Sequence, residues 1–117
     1  MAKAFDLEAI RHAVRSGRLR WHMHALERMP KRRLSTTHVK QVILNGEVIE
    51  DYPASTPYPS GLLHAVVEGR PIHAVVAWDR RGQGTPYVIT AYEPDETHFE
   101  PDLKTRKKAS KRRSDDE

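Results

Sequence analysis

Apolar positions recur at helical spacing up to Gly46 and at alternate positions beyond it. In residues 5–16, Phe5, Ala9, Ile10, Ala13 and Val14 fall on one side, with Asp6 placed as an N-cap and Gly17 as a stop, which predicts a first helix. A second helical stretch opens at Trp21 or His22 and presents Met23, Leu26 and Met29. It must bend or end at Pro30, which has no N–H to give the carbonyl of Leu26. Ser35 is placed to cap a third helix, TTHVKQVILNG, in which Val39, Val42, Ile43 and Leu44 form one face and Asn45-Gly46 ends the run.

Past Gly46 the alternation predicts strands at EVIEDY, 62–68, 72–78 and 87–92, with PASTPYPS as a loop and EGRP and DRRGQGTP as turns. The predicted fold is α+β: N-terminal helices on a four-stranded antiparallel meander. With Gly69-Arg70 as the hairpin turn, Val67 lies opposite Ile72 and Val66 opposite His73. Leu63, Ala65, Val67, Ile72, Ala74, Val76 and Trp78 then share an apolar face for the helices to cover. Leu62, His64, Val66, His73 and Val75 share the other, and the last strand adds Thr90 and Tyr92 to it. His64 and His73 become diagonal neighbours that either meet one ligand or merely decorate a half-exposed sheet.

The 117-residue length suits one compact domain, set at 1–103, and the 38% apolar content suits a thin, two-layer core. Residues 104–117, KTRKKASKRRSDDE, have almost nothing to bury and are expected to form a disordered basic tail. The net charge of +4 favours a polyanionic partner, RNA or DNA. The lack of cysteine removes disulfides and Cys-based zinc sites. No apolar run approaches a membrane span, and MAKAFDLEAIRHAV lacks the apolar core of a secretory signal, so a cytoplasmic location is expected.

The stretch WHMHALERM carries the most suggestive chemistry. On a helix His22 and His24 point apart, and no recognised metal spacing surrounds them, so neither metal nor cofactor is expected. His24 and Arg28 are four apart on one face, with Arg32 a further turn on. Imidazole carries a proton near neutrality and guanidinium matches phosphate oxygens, a pairing suited to a phosphodiester. The alternative is that His24 caps or packs and RMPKRR is a solvated basic surface.

HALERMPKRRLS, then VKQVILNGEVIEDYP, GRPIHAVVAWD and VITAYEPD, form an ordered set that resembles the bacterial DUF4258 family. Its pattern runs His-Ala-x-x-Arg-Met, Arg-x-Ile-Ser, then Gly-Glu-Val-Ile-Glu. The likeness covers about Trp21 to Lys108; Leu34 stands where the pattern more often has Ile, and Arg33 where it often has Gly. The resemblance implies the toxin half of a type II toxin–antitoxin pair, similar to small RNases of the RelE, HigB and MqsR kind, whose helices precede a twisted antiparallel sheet. It also implies a partner antitoxin, of the zinc-binding MqsA/YgiT type, covering the basic face. The positions it carries over are His24, Arg28, Arg32, His73 and Tyr92.

On that reading the substrate is mRNA, free or ribosome-bound, and its own 2′-hydroxyl is the nucleophile. His24 or His73 serves as acid or base, Arg28 and Arg32 clamp phosphate, and Tyr92 donates a proton or hydrogen bond, or stacks on a base. Arg33, His64, Lys107 and Lys108 extend the basic binding surface. The rival readings are a non-catalytic RNA- or DNA-binding module, a protein-interaction domain and, ranked last, a small metalloenzyme. The first has no use for titrating histidines, and the second shows no salt-dependent binding to nucleic acid.

Overall fold

A computed structural model of the chain describes residues 5–107. Helix α1, Leu7–Arg15, begins where the Asp6 carboxylate accepts from the Ala9 amide at 3.1 Å and buries Ile10, Ala13 and Val14. Strand β1 is Arg20–Trp21, followed by α2, Met23–Arg28, and a 3-10 turn, Pro30–Arg32. Helix α3, Thr36–Asn45, opens on a reciprocal cap: Ser35 Oγ accepts from the His38 amide, and His38 Nδ1 accepts from the Ser35 amide. Strands β2, Glu47–Tyr52, β3, Ser60–Val67, β4, Arg70–Asp79, and β5, Thr85–Tyr92, follow.

The sheet is five-stranded and mixed, in the order β1-β5-β4-β3-β2, which corrects the expected four-stranded antiparallel sheet. The extra strand, β1, runs parallel to β5 and pairs Arg20 with Tyr87 and Trp21 with Val88. Two residues are too few to show an alternation, so β1 has no signature in the chain. It also takes Trp21 out of the second helix.

Helix α2 is turned relative to its expected face. Met23 and Leu26 are 68% and 46% exposed, while Ala25 and Met29 are buried. The helix starts only at Met23, with His22 as its cap, and residues 25 and 29, four apart, meet the core. The small Ala25 allows close approach to β5.

Core packing follows the alternation. Leu63, Ile72, Ala74, Val76 and Trp78 meet Ile10, Ala13, Val39, Val42 and Ile43 from the helices. Gly46 makes the change from α3 to β2 possible: a Cβ there would lie 2.5 Å from the Val42 carbonyl oxygen and 2.6 Å from that of His64. Arg11 closes the same corner by donating to the carbonyls of Ile43 and Gly46.

The β3–β4 hairpin turns at Glu68 and Gly69, with φ of +53° and +79°, and not at Gly69-Arg70. Two positive-φ residues match the twist of a tight hairpin. The pairing shifts by two residues, which preserves the faces, and His64 lies directly opposite His73. Arg33 has φ +58°, which explains physically why glycine suits that position.

Residues 94–107 cross the second sheet face as a strap closed by a bridge between Phe99 and Arg106. Residues 104–107, expected in the tail, thus lie against the sheet: Lys104 pairs with Glu47 at 3.0 Å and Arg106 with Glu50 at 3.0 Å. The remainder of the expected tail, with Lys108, lies outside the described residues.

Candidate functional site

The second sheet face gathers a polar cluster beneath the strap. Tyr92 on β5 lies opposite His73 on β4, which lies opposite His64 on β3, which in turn lies opposite Glu47 on β2. Beyond a bulge at Ile49, Glu50 and Tyr52 join the same side. His73 is wholly buried, with the Phe99 ring edge-on at 4.7 Å and the His64 ring edge-on at 5.2 Å.

His73 Nε2 lies 2.7 Å from the Leu103 carbonyl oxygen, which can only accept. Nε2 therefore carries the proton, and Nδ1 accepts from the Tyr92 hydroxyl at 3.4 Å. Burial, resisted by the Leu103 bond and aided by His64, lowers the His73 pKa, so the ring is neutral at pH 7. Burial and then Lys104 lower that of His64, whose buried Nδ1 has no hydrogen-bond partner. For Tyr92, burial raises the pKa against nearby Arg106, which keeps the phenol protonated as a donor.

Burial raises the Tyr52 pKa to about 12, with help from its hydrogen bond to Glu50. Glu50 responds in the opposite sense. Burial pushes its carboxyl up, but the bonds from Arg106 and Tyr52 outweigh it, and its pKa is lowered. Both Arg106 Nε and Nη2 donate to Glu50, at 3.0 and 3.1 Å, so the strap is tied to β2 by a two-pronged pair.

Beside this cluster a cleft of about 340 Å³ is lined by Arg32, Tyr92, Asp95, His98, Phe99 and Arg106. Arg32 donates from Nη1 to the Ala91 carbonyl at 2.8 Å and approaches Thr90 Oγ1 at 3.4 Å. Arg70 holds the preceding turn to the sheet: it donates to the Arg33 carbonyl at 2.8 Å and pairs with Glu93 at 2.9 Å. His98 is exposed, with Nδ1 3.5 Å from the Asp95 carboxylate. An imidazole, a phenol and two guanidiniums thus share one cleft, a set able to move protons and hold a phosphate.

Of the residues singled out in the sequence, His64, His73, Tyr92 and Arg32 come together. His24 and Arg28 lie on the exposed side of α2, and no hydrogen bond, ion pair or ring contact among the described residues joins them to that group. His24 instead sits 3.6 Å from Glu27, and its ring stacks on His22 at 5.3 Å. The two rings meet because His22 is an extended cap residue, not a helical one. Arg33 is exposed, and the Lys107 amide donates to the His98 carbonyl.

Sequence reasoning missed Glu50, Tyr52, His98, Phe99 and Arg106. Glu50 and Tyr52 share a parity that places them on one face, but the bulge at Ile49 hides which face. Arg106 was submerged in a charged run. Among the described residues, no group of three or more His, Asp or Glu is placed to hold a metal ion, and no helix is long and apolar enough to cross a membrane.

Comparison with curated proteins and with solved structures gave no match. Residues 21–93, which run from the second residue of β1 through the Arg32 turn and strands β2 to β5 to Glu93, match the family described as Domain of unknown function (DUF4258), and the chain belongs to that family.

Proposed function

We propose that this chain is the toxin of a type II toxin–antitoxin pair and cleaves mRNA by metal-independent attack of the 2′-hydroxyl. The observation that carries the reading is the convergence of Tyr92, Arg32, Arg106 and His98 on one cleft of a basic chain. The RelE-like resemblance of the sequence supports it as an analogy.

In this scheme His98, held by Asp95, takes the 2′-hydroxyl proton. The 2′-oxygen bonds to phosphorus, the bond to the 5′-oxygen breaks, and the Tyr92 O–H, turned from its long 3.4 Å bond to His73 Nδ1 toward the departing oxygen, protonates it. The products are a 2′,3′-cyclic phosphate and a 5′-hydroxyl. Arg32 and Arg106 hold the negative charge that grows on the phosphate oxygens. His73 touches no substrate and positions the Tyr92 hydroxyl from behind. His24 and Arg28 contact the RNA backbone along α2, and an antitoxin of the MqsA/YgiT type covers the same basic side.

Cleavage of a defined RNA, free and ribosome-bound, by folded Tyr92→Phe, His98→Ala and Arg32→Ala proteins tests the scheme. Loss of a positioned acid or base should slow cleavage by about a hundredfold to ten-thousandfold. His73→Gln, which keeps a polar group beside Tyr92, should retain more activity than His73→Ala. Undiminished cleavage by Tyr92→Phe removes Tyr92 from the chemistry. A second reading, RNA binding without cleavage, is favoured by the complete burial of His73 and by the pairing of Arg106 with Glu50. RNA that is bound with strong salt dependence but left intact by every protein would establish it.

A further inference from the structure

The other half of the second sheet face holds a separate cavity of about 370 Å³, between the 52–60 loop, the α2 N-cap and strands β4 and β5. Val75 and Ala77 line its sheet side, with Tyr58, Tyr87, His22 and Ser60 also in its wall. Tyr58 and Tyr87 lie nearly parallel, with ring centroids 5.8 Å apart and planes 11° apart.

Tyr58 is fixed before any ligand arrives. Arg81 donates to its hydroxyl at 2.8 Å and lies over its ring at 5.5 Å, and Arg81 is itself clamped by the Asp79 carboxylate at 2.9 Å. That clamp, through its bonds to Arg81, holds the Asp79 carboxyl down at about 2. His22 is fixed as well: its Nδ1 accepts from the His24 amide, and its ring stacks on that of His24. Immobilised aromatic rings, an apolar floor and a few polar groups are what a flat heterocycle needs from a binding site.

The cavity shares a sheet face and a strand with the Tyr92 cleft. Tyr87 and Tyr92 are five residues apart on β5, about 15 Å along a strand, a span of a few nucleotides. The segment from α2 to the 3-10 turn parallels that course, with His22 lining the cavity and Arg32 lining the cleft. Arg80 and Arg81 flank the far side of Tyr58.

We infer that this cavity is a nucleobase subsite, in which one base of a single-stranded RNA stacks against the Tyr58–Tyr87 pair while the backbone runs along β5 to the Tyr92 cleft. The inference rests on the RNA reading above and adds the point at which the base is recognised. Stacking is the source of affinity, and His22 and Ser60 face the edge of the base.

The test uses full-length protein and a short oligonucleotide with 2′-deoxy sugars, which cannot be cleaved by 2′-hydroxyl attack. NMR titration should shift the amides of Val75, Ala77 and Tyr87. Tyr87→Ala should weaken binding about fivefold to a hundredfold. Val75→Trp, which fills the cavity, should weaken it similarly, while Tyr87→Phe should bind nearly as wild type. Matched amide spectra outside the cavity establish that the variants are folded.

Unshifted cavity amides, or wild-type affinity in both Tyr87→Ala and Val75→Trp, would overturn the subsite. Saturation by a free mononucleotide with no response to the oligonucleotide would also overturn it and assign the cavity to small nucleotides. Base binding without cleavage of ordinary RNA would refute the nuclease alone. Cleavage at unchanged positions and affinity in Val75→Trp would refute the subsite alone.

Discussion

Phe99→Ala should open the strap without unfolding the sheet. Phe99 is 2% exposed, with its ring edge-on to His73 at 4.7 Å and the Arg106 guanidinium 4.8 Å above it. Truncating a buried phenylalanine costs about 3–5 kcal/mol. The remaining ties are weaker. The Lys104–Glu47 pair is about half exposed, and Arg106 of the pair with Glu50 is 48% exposed, so each contributes at most about 1 kcal/mol. Because each 1.4 kcal/mol is about tenfold, strap opening should increase by about a hundredfold to several thousandfold.

Hydrogen exchange reads this directly. The Glu100 and Lys107 amides, bonded to the carbonyls of Thr105 and His98, should lose protection, while those of β3 and β4 keep theirs. His73 should become solvated, and its pKa, followed by NMR, should rise toward the ordinary imidazole value. Wild-type protection at Glu100 and Lys107 together with a lowered melting temperature would refute the reasoning. It would mean that strap and sheet unfold as one unit.

Stability should fall as the pH drops below about 6.5, the ordinary histidine value. The unfolded chain then binds protons that folded His64 and His73, with lowered pKa values, refuse until lower pH. Glu50, lowered by Arg106 and Tyr52 against its burial, adds a further loss below its ordinary 4.5; urea unfolding at several pH values checks both, and a rise toward acid would contradict them. Arg33→Gly should raise stability by about 0.5–1 kcal/mol, because it removes a left-handed arginine at φ +58°, and a drop in thermal or urea stability would count against that. Deleting 108–117 should weaken RNA binding and flatten its salt dependence while leaving cleavage at saturating RNA intact. The cut must fall after Lys107, since Lys104 and Arg106 hold the strap.

Where burial imposes a period, the fold could be read from the chain. Asp6 and Ser35 cap the helices as their side chains suggest, and the Leu63-to-Trp78 alternation separates core from site. Parity is robust: the β3–β4 register moved by two residues, and His64, His73 and Tyr92 still share a face. Features that depend on few residues or on distant partners were not legible. Strand β1 has only two residues, and the orientation of α2 turns on Ala25, whose methyl gives no hydrophobic signal against Met23 and Leu26. The strap is mostly polar, and its contacts with His73, Glu47 and Glu50, not its composition, reveal that it belongs to the domain.

These contacts also change the role of His73. A histidine on a sheet face reads as an acid or base, but Nε2 lies on the Leu103 carbonyl and Nδ1 toward Tyr92, so in the proposed scheme it orients another group. In the proposed scheme the side chains that move protons are Tyr92, half-buried in the cleft wall, and exposed His98, the latter on a loop beyond the last strand. Loops carry such groups more freely than strands, because their side chains are not committed to a core.

The most direct test is to incubate a defined RNA in EDTA with wild-type and folded Tyr92→Phe protein, and to map the ends of every fragment. The account predicts cleavage by wild type that leaves a 2′,3′-cyclic phosphate and a 5′-hydroxyl, and its near loss in Tyr92→Phe. RNA left intact by wild type, both free in EDTA and on ribosomes in magnesium buffer, would contradict it.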